Sequence, residues 1–277
     1  MINEVYKMSE TREDGFEATL TTYVLEETTY PENPRKRPAV LILPGSGYFR
    51  CCPREAEPVA LKYLAKGYQA FVLMYSCAPD VYPKALKEVS DSLKLIRENA
   101  DKWNIDPDKI AVMGFSAGGH LAATLGTLWN REPAVACNGL NKPNALILGY
   151  PVITADKEYR HEGSFNYLLG DKVNDPKMLE YLSPEKQVSN DTPPSFIFHA
   201  YGDAGVPMEN SMMFASALKK NDIQFELHIY PRGCHGFGTA EAEACSYEDV
   251  EHISSWVPLS IKWLDDLFGM KKILENK

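Results

Sequence analysis

Short, unbroken apolar runs alternate along this chain with segments whose apolar residues recur every three or four positions. The runs are residues 39–43 (AVLIL), 70–74 (AFVLM), 110–113 (IAVM), 145–148 (ALIL), 195–199 (SFIFH) and 225–229 (FELHI). Runs of that length fit strands buried on both faces, as in a parallel sheet. Between the first two, Ala56, Val59, Ala60, Tyr63 and Leu64 recur at helical spacing within residues 54–66, and Gly67 is placed to end that helix. Residues 85–103 carry a second stripe, Leu86, Val89, Leu93, Ile96 and Ala100. Further helices are predicted over 120–128, 210–220 and 254–268. Upstream, residues 16–25 are rich in threonine and aromatics and predict an edge strand, with the stretch before them as a candidate partner. Residues 30–38, with three prolines and several charges, predict a loop.

Strands alternating with helices point to an α/β fold, a mostly parallel, doubly wound sheet flanked by helices. Residues 154–191 break the rhythm with polar and aromatic residues, among them Tyr159, Phe165, Tyr167 and Tyr181. They read as a small cap insertion over the carboxyl edge of the sheet. A single domain over residues 1–277 is therefore expected.

Composition narrows the chemistry. With 44% hydrophobic and 24% charged residues the chain reads as an ordinary globular protein. One unit of this length buries about 75% of its unfolded surface and needs no disulfide or metal to hold a core. The net charge of -9, from 38 acidic against 29 basic residues, disfavours nucleic acid and anionic membrane as partners. No apolar run approaches the roughly 18 residues of a membrane span. The six cysteines, Cys51, Cys52, Cys77, Cys137, Cys234 and Cys245, show no CxxC spacing, and adjacent cysteines rarely bridge each other. They read as free thiols. The first ten residues, MINEVYKMSE, lack a signal-peptide profile, so a cytoplasmic location is expected.

The sharpest motif is Gly114-Phe115-Ser116-Ala117-Gly118, a GxSxG pentapeptide. Alone it is weak. Here it directly follows an apolar strand and directly precedes a helix, which is the context of a nucleophile elbow. A serine hydroxyl needs a base within hydrogen-bond reach, and in elbow proteins the acid and then the histidine follow the serine in the chain. Of the six histidines, His120 sits in the helix just behind the serine, His199 and His228 lie within strands, His161 precedes any suitable acid, and His252 leads into the last helix. His235 alone occupies a glycine-flanked loop past a strand, Arg232-Gly233-Cys234-His235-Gly236. Asp203, just past the strand at 195–199, is the candidate acid that would hold its tautomer. Asp191 is at the wrong end of that strand, and Asp171 and Asp175 read as turn residues in the cap.

Acyl transfer also needs preorganised donors for the developing oxyanion. The Ala117 N–H supplies one, and the loop Pro44-Gly45-Ser46-Gly47-Tyr48 is placed to supply others, from Ser46 and Gly47. A dinucleotide-loop reading of Gly45-Ser46-Gly47 fails because Arg50 stands where a third glycine belongs. No HExxH, P-loop or paired-carboxylate signature is present, so neither metal nor cofactor is expected. Tyr48, Phe115, Val152, Val206 and Phe237 are the expected walls of the substrate pocket.

With these residues in view, the sequence resembles the bacterial acetyl esterase and acetyl-xylan esterase-like α/β-hydrolases, near the hormone-sensitive-lipase and dienelactone-hydrolase-like families. The matching blocks are PGSGY (44–48), REAEPVALKYLAKGY (54–68), DPDKIAVMGFSAGGHLAA (106–123), GYPVIT (149–154), HAYGDAGVPMENS (199–211) and FELHIYPRGCHGFG (225–238). The resemblance implies hydrolysis of short acyl esters, commonly acetyl groups on plant-polysaccharide sugars, with Ser116, Asp203 and His235 as triad. The implied partner is a small-molecule ester or an acetylated oligosaccharide. Two departures stand out: PGSG replaces the usual glycine triplet, and Cys234 stands where glycine is common, beside the base. An amidase or peptidase on the same scaffold, and a non-catalytic binding protein of this fold, are the competing readings.

Overall fold

The computed structural model describes residues 1–26, 36–134, 137–241 and 251–270; Cys245 and most of the predicted loop at 30–38 lie outside them. The described residues form an eight-stranded sheet in the order β1-β2-β4-β3-β5-β6-β7-β8. Its strands are β1 (Val5–Lys7), β2 (Thr19–Tyr23), β3 (Arg37–Leu43), β4 (Gln69–Met74), β5 (Ile105–Phe115), β6 (Ala145–Gly149), β7 (Ser195–Ala200) and β8 (Phe225–Tyr230). From β4 to β8 every neighbouring pair is parallel, while β1 and β2 add on antiparallel. All six apolar runs are strands. The predicted edge strand is displaced from the edge, because the stretch before it does pair with it and β1 takes the outer place.

Strand pleating divides the core in two. Leu41, Leu43, Val112, Leu146, Leu148 and Ile197 point to one face, where they meet α2 (Lys84–Glu98), α3 (Ala117–Leu128) and α6 (Glu209–Lys220). Their strand neighbours Val40, Ile42, Met113, Phe115, Ile147 and Phe198 point to the other, against α1 (Glu57–Leu64) and α8 (Trp256–Leu267). Helices on both faces explain why these strands read as continuous apolar runs rather than alternating ones. Gly67, at φ +90°, does follow α1. Helix α3, however, begins at Ala117, not at residue 120: Gly118 and Gly119 look like turn residues but are its first turn.

Between β6 and β7 the chain leaves the sheet for α4 (Glu162–Leu169) and α5 (Pro176–Tyr181), within the predicted insertion at 154–191. A four-residue helix, α7 (Glu251–Ser254), precedes α8. Among the described residues no helix is long and apolar enough to cross a membrane.

The crossovers run from β3 outward to β4, then back past β3 to β5. The winding therefore reverses at the β3–β5 pair, whose carboxyl ends leave a crevice where ligands of open α/β sheets bind. Leu43 pairs with Gly114 at that end, bringing the loop at 44–48 beside Ser116.

Phe198 anchors the β7–α8 contact. It is fully buried and stacks on Trp256 with ring centroids 4.3 Å apart and planes at 10°. Phe198→Ala should cost about 3–5 kcal/mol of stability, measured by urea denaturation; a loss below 1 kcal/mol would contradict the packing described.

Candidate active site

Ser116 stands between β5 and α3 with φ 53° and ψ -119°, a backbone conformation that costs a non-glycine residue roughly 1–3 kcal/mol. The flanking glycines are required sterically. A Cβ on Gly114 would lie 2.0 Å from the Gly118 carbonyl oxygen, and one on Gly118 would lie 2.1 Å from the Leu43 oxygen. The serine nitrogen donates to the Gly149 oxygen (3.0 Å), and its carbonyl accepts from His120 (3.0 Å) and Val152 (3.1 Å), so the tip is fixed from three sides.

The structure brings Ser116, His235 and Asp203 together. Ser116 Oγ lies 2.7 Å from His235 Nε2, and His235 Nδ1 lies 2.8 Å from Asp203 Oδ2. An ionised carboxylate only accepts, so Nδ1 carries the proton and Nε2 is left to accept from the serine hydroxyl. Asp203 Oδ1 accepts the N–H groups of Gly205 and Val206, both at 2.9 Å, which locks the carboxylate at the end of β7. Burial alone would raise its pKa, but the hydrogen bonds from His199 and His235 outweigh that and hold it well below the usual carboxylate range.

His199 was not legible as part of this group. It is fully buried, with Nε2 2.9 Å from the Val206 oxygen and 3.3 Å from Asp203 Oδ2, and Nδ1 2.7 Å from Ser211 Oγ. Its Nε2–H thus donates toward the loop that carries the acid. An inward strand position gives a histidine no sequence signal beyond burial.

After β3, three consecutive residues have positive φ: Ser46 (110°), Gly47 (69°) and Tyr48 (62°). Among the described residues, the N–H groups of Ser46, Gly47 and Ala117 have no hydrogen-bond acceptor, and Ser46 and Gly47 face the same cavity as Ser116. Pins on both sides hold the loop: Tyr75 Oη donates to the Pro44 oxygen (2.7 Å), and the Ala78 N–H donates to the Tyr48 oxygen (2.8 Å).

The cavity over Ser116 measures about 370 Å³. Besides Ser46, Gly47, Ser116 and His235 it is lined by Phe49, Cys52, Arg54, Glu55 and Gly236, and by His161, Gly163 and Tyr167 of the insertion. None of the expected walls is among them. Phe115 points through the sheet to the opposite core, against Tyr150, Phe198 and Trp256. Val152 and Val206 are sealed in the core on the α3 face. Phe237 packs on Tyr150 at 4.6 Å, and Tyr48 turns inward to donate to His120 Nδ1 at 2.8 Å. Sequence proximity to the triad was a poor guide because alternate residues leave the site on opposite sides. Cys234 also lies outside the cavity lining, its thiol 3.4 Å from the His235 carbonyl oxygen.

Missed at the sequence level, His161 faces the cavity from the start of α4. Its Nδ1 accepts the Ser164 N–H (3.1 Å), leaving the ring proton on Nε2. Burial, and then the neighbouring His235, lower its pKa. Glu55, read only as part of an amphipathic helix, is a buried carboxylate whose pKa burial raises, against hydrogen bonds from Tyr150 and Gly45.

A family model, BD-FAE, matches residues 28–218, and the dienelactone hydrolase family model matches residues 179–266. The chain belongs to the BD-FAE family and has the α/β-hydrolase fold. The acetyl ester-xyloside bifunctional hydrolase from Caldicellulosiruptor lactoaceticus has a similar solved structure, with TM-score 0.82 and 36% identity over 96% of each chain. Endo-1,4-beta-xylanase B of Butyrivibrio fibrisolvens is 39% identical over 216 residues, and an acetylxylan esterase of Xylanibacter ruminicola is 35% identical over 212. Each match takes in 75% of this chain but only 34% and 42% of those relatives, so the chain spans less than half their length.

One buried ring at the site ties stability to pH. His120 Nδ1 accepts from Tyr48 and its Nε2–H donates to the Leu182 oxygen (2.8 Å), and burial lowers its pKa from 6.5 to about 4. As pH falls through 6.5 the unfolded chain takes up this proton and the folded protein does not, so stability drops across pH 6.5 to 4 by up to about 3 kcal/mol. Urea midpoints at pH 7.0, 5.5 and 4.5 should decline, and His120→Gln should flatten the decline; an unchanged slope in the variant would contradict a neutral buried ring.

Proposed function

We propose that this protein is a serine carboxylesterase that removes short acyl groups, chiefly acetyl, from carbohydrate through an acyl-enzyme. The observation that carries the reading is the hydrogen-bonded chain Ser116 Oγ, His235, Asp203, with 2.7 and 2.8 Å between partners. His235 Nε2 takes the hydroxyl proton as Ser116 Oγ bonds to the ester carbonyl carbon, and the anionic Asp203 stabilises the imidazolium that forms. The oxyanion then meets the N–H groups of Ser46, Gly47 and Ala117, the donors this reading assigns to it. Collapse breaks the ester C–O bond, His235 returns the proton to the leaving alcohol, and water activated by the same ring hydrolyses the acyl-serine. The N–H groups of Ser46, Gly47 and Ala117 have no acceptor among the described residues, which fits donors kept for the transition state.

Two things support a sugar as the alcohol part. The relatives include an acetylxylan esterase and an acetyl ester-xyloside hydrolase. At the cavity mouth Phe49 and Tyr167, 57% and 41% exposed, face each other with ring centroids 5.3 Å apart. Large aromatics left in solvent at a cavity rim mark a binding surface, and the C–H face of a pyranose stacks on such rings. His161 Nε2–H, beside them, offers a donor to a sugar hydroxyl.

Ser116→Ala should lower kcat on p-nitrophenyl acetate by at least about a thousandfold with the fold intact; near-normal turnover would end the proposal. The double variant Phe49→Ala, Tyr167→Ala should raise KM for acetylated xylo-oligosaccharides about five- to tenfold, the worth of one aromatic contact, and leave ethyl acetate hydrolysis unchanged. Equal effects on both substrates would argue against a sugar subsite at the rim.

A further inference from the structure

Glu55 is 2% exposed, ends the single 3-10 turn Pro53–Glu55 before α1, and is used by none of the steps above. Its two oxygens reach two different loops. Oε2 accepts the Gly45 N–H at 2.7 Å, at the start of the strained oxyanion loop. Oε1 accepts the Tyr150 hydroxyl at 2.7 Å, and that hydroxyl accepts the Gly238 N–H at 2.9 Å, three residues past His235. The Tyr150 ring also meets the His235 ring edge to face at 5.1 Å.

Gly45 packs closely on both Ser116 and Glu55. A Cβ there would lie 2.6 Å from the Phe115 carbonyl oxygen, 2.7 Å from Ser116 Cβ and 3.0 Å from Glu55 Oε2, so no side chain fits between this peptide and the nucleophile and carboxylate it touches. Its carbonyl is held from the same segment, accepting the Cys52 N–H at 3.0 Å. Positive φ at the non-glycine residues Ser46 and Tyr48 persists only where neighbouring structure imposes it.

We propose that Glu55 and Tyr150 are positioning residues: one buried carboxylate fixes the oxyanion loop and, through the tyrosine hydroxyl, the loop of the base, so that donors and base keep a common register to Ser116. The inference rests on the esterase reading, and it assigns the acid of the REAEP segment a role in catalytic geometry. A carboxylate suits the place because both of its partners donate to it here. In Glu55→Gln one oxygen becomes an NH₂: set toward Gly45 it meets an N–H that can only donate, and set toward Tyr150 it forces the hydroxyl to turn from donor to acceptor, so one of the two connections changes either way. Tyr150→Phe leaves the Gly238 N–H without its acceptor and Glu55 with one partner.

The test measures kcat and KM on p-nitrophenyl acetate for the wild type, Glu55→Gln, Tyr150→Phe and the double variant, with near-UV circular dichroism to verify native packing. The expected result is a kcat about 10- to 100-fold lower in each single variant, KM within threefold of wild type, and a double variant little worse than the weaker single one, since both cut one connection. Raised KM with normal kcat, or losses that multiply in the double variant, would overturn the shared brace. If Glu55→Gln does not fold, the kcat and KM of Tyr150→Phe decide alone, and an unchanged kcat there overturns the proposal. A wild type without esterase activity would instead overturn the esterase reading, and the brace's catalytic role with it.

Discussion

The site depends on one steric fact: four stretches of backbone approach Ser116 more closely than any side chain allows. The end of β3, the end of β5, the first turn of α3 and the segment after β6 meet at Gly45, Gly114, Gly118 and Gly119. An added Cβ at any of these would come within 2.0 to 2.8 Å of another atom. That crowding forces the chain to reverse at a single residue and leaves the serine at the tip with φ 53°. The sheet bears the resulting strain, with β5 paired on both sides by β3 and β6. The loop after β3 and Ser116 at the tip of β5 are held at a distance set by the register of these adjacent parallel strands, which is what the proposed oxyanion donors require.

Electrostatics at the site separates the charged from the neutral. Asp203 is kept ionised by two histidines and two backbone N–H groups, although it is buried. Glu55 is buried as well, with a tyrosine hydroxyl and a peptide N–H as partners. His120, one turn along α3 from the serine, is held neutral by burial and by bonds that use each ring nitrogen once. In the proposed reaction a proton leaving Ser116 goes to His235, the ring aligned with it and backed by a carboxylate. His199 adds a second donor near the same carboxylate oxygen, so the acid is oriented from the core as well as from the substrate side.

Much of this is legible in the sequence. Continuous apolar runs exposed the parallel strands because both of their faces are covered, and the strand–GxSxG–helix context singled out Ser116. Asp203 and His235 were found because each sits in a loop just past a strand, where the carboxyl edge must be. The pocket walls were not legible. Whether Phe115 faces the cavity or the opposite core depends on pleat phase, and Val206 lies in a loop whose direction the Asp203 hydrogen bonds decide. Glu55 gave no signal, since a carboxylate in an amphipathic helical stretch reads as solvated until its two donors, 10 and 95 residues away, are seen. Helix α3 begins earlier than expected because its opening glycines answer to close packing rather than to turn formation.

Whether Ser116 is the atom that attacks can be read directly by labelling. Incubation with a small organophosphonate, followed by intact-mass and peptide mass spectrometry, should show one adduct per chain, located on Ser116, with labelling slowed by orders of magnitude in His235→Ala. Labelling at another residue, or loss of activity without modification of Ser116, would contradict the account.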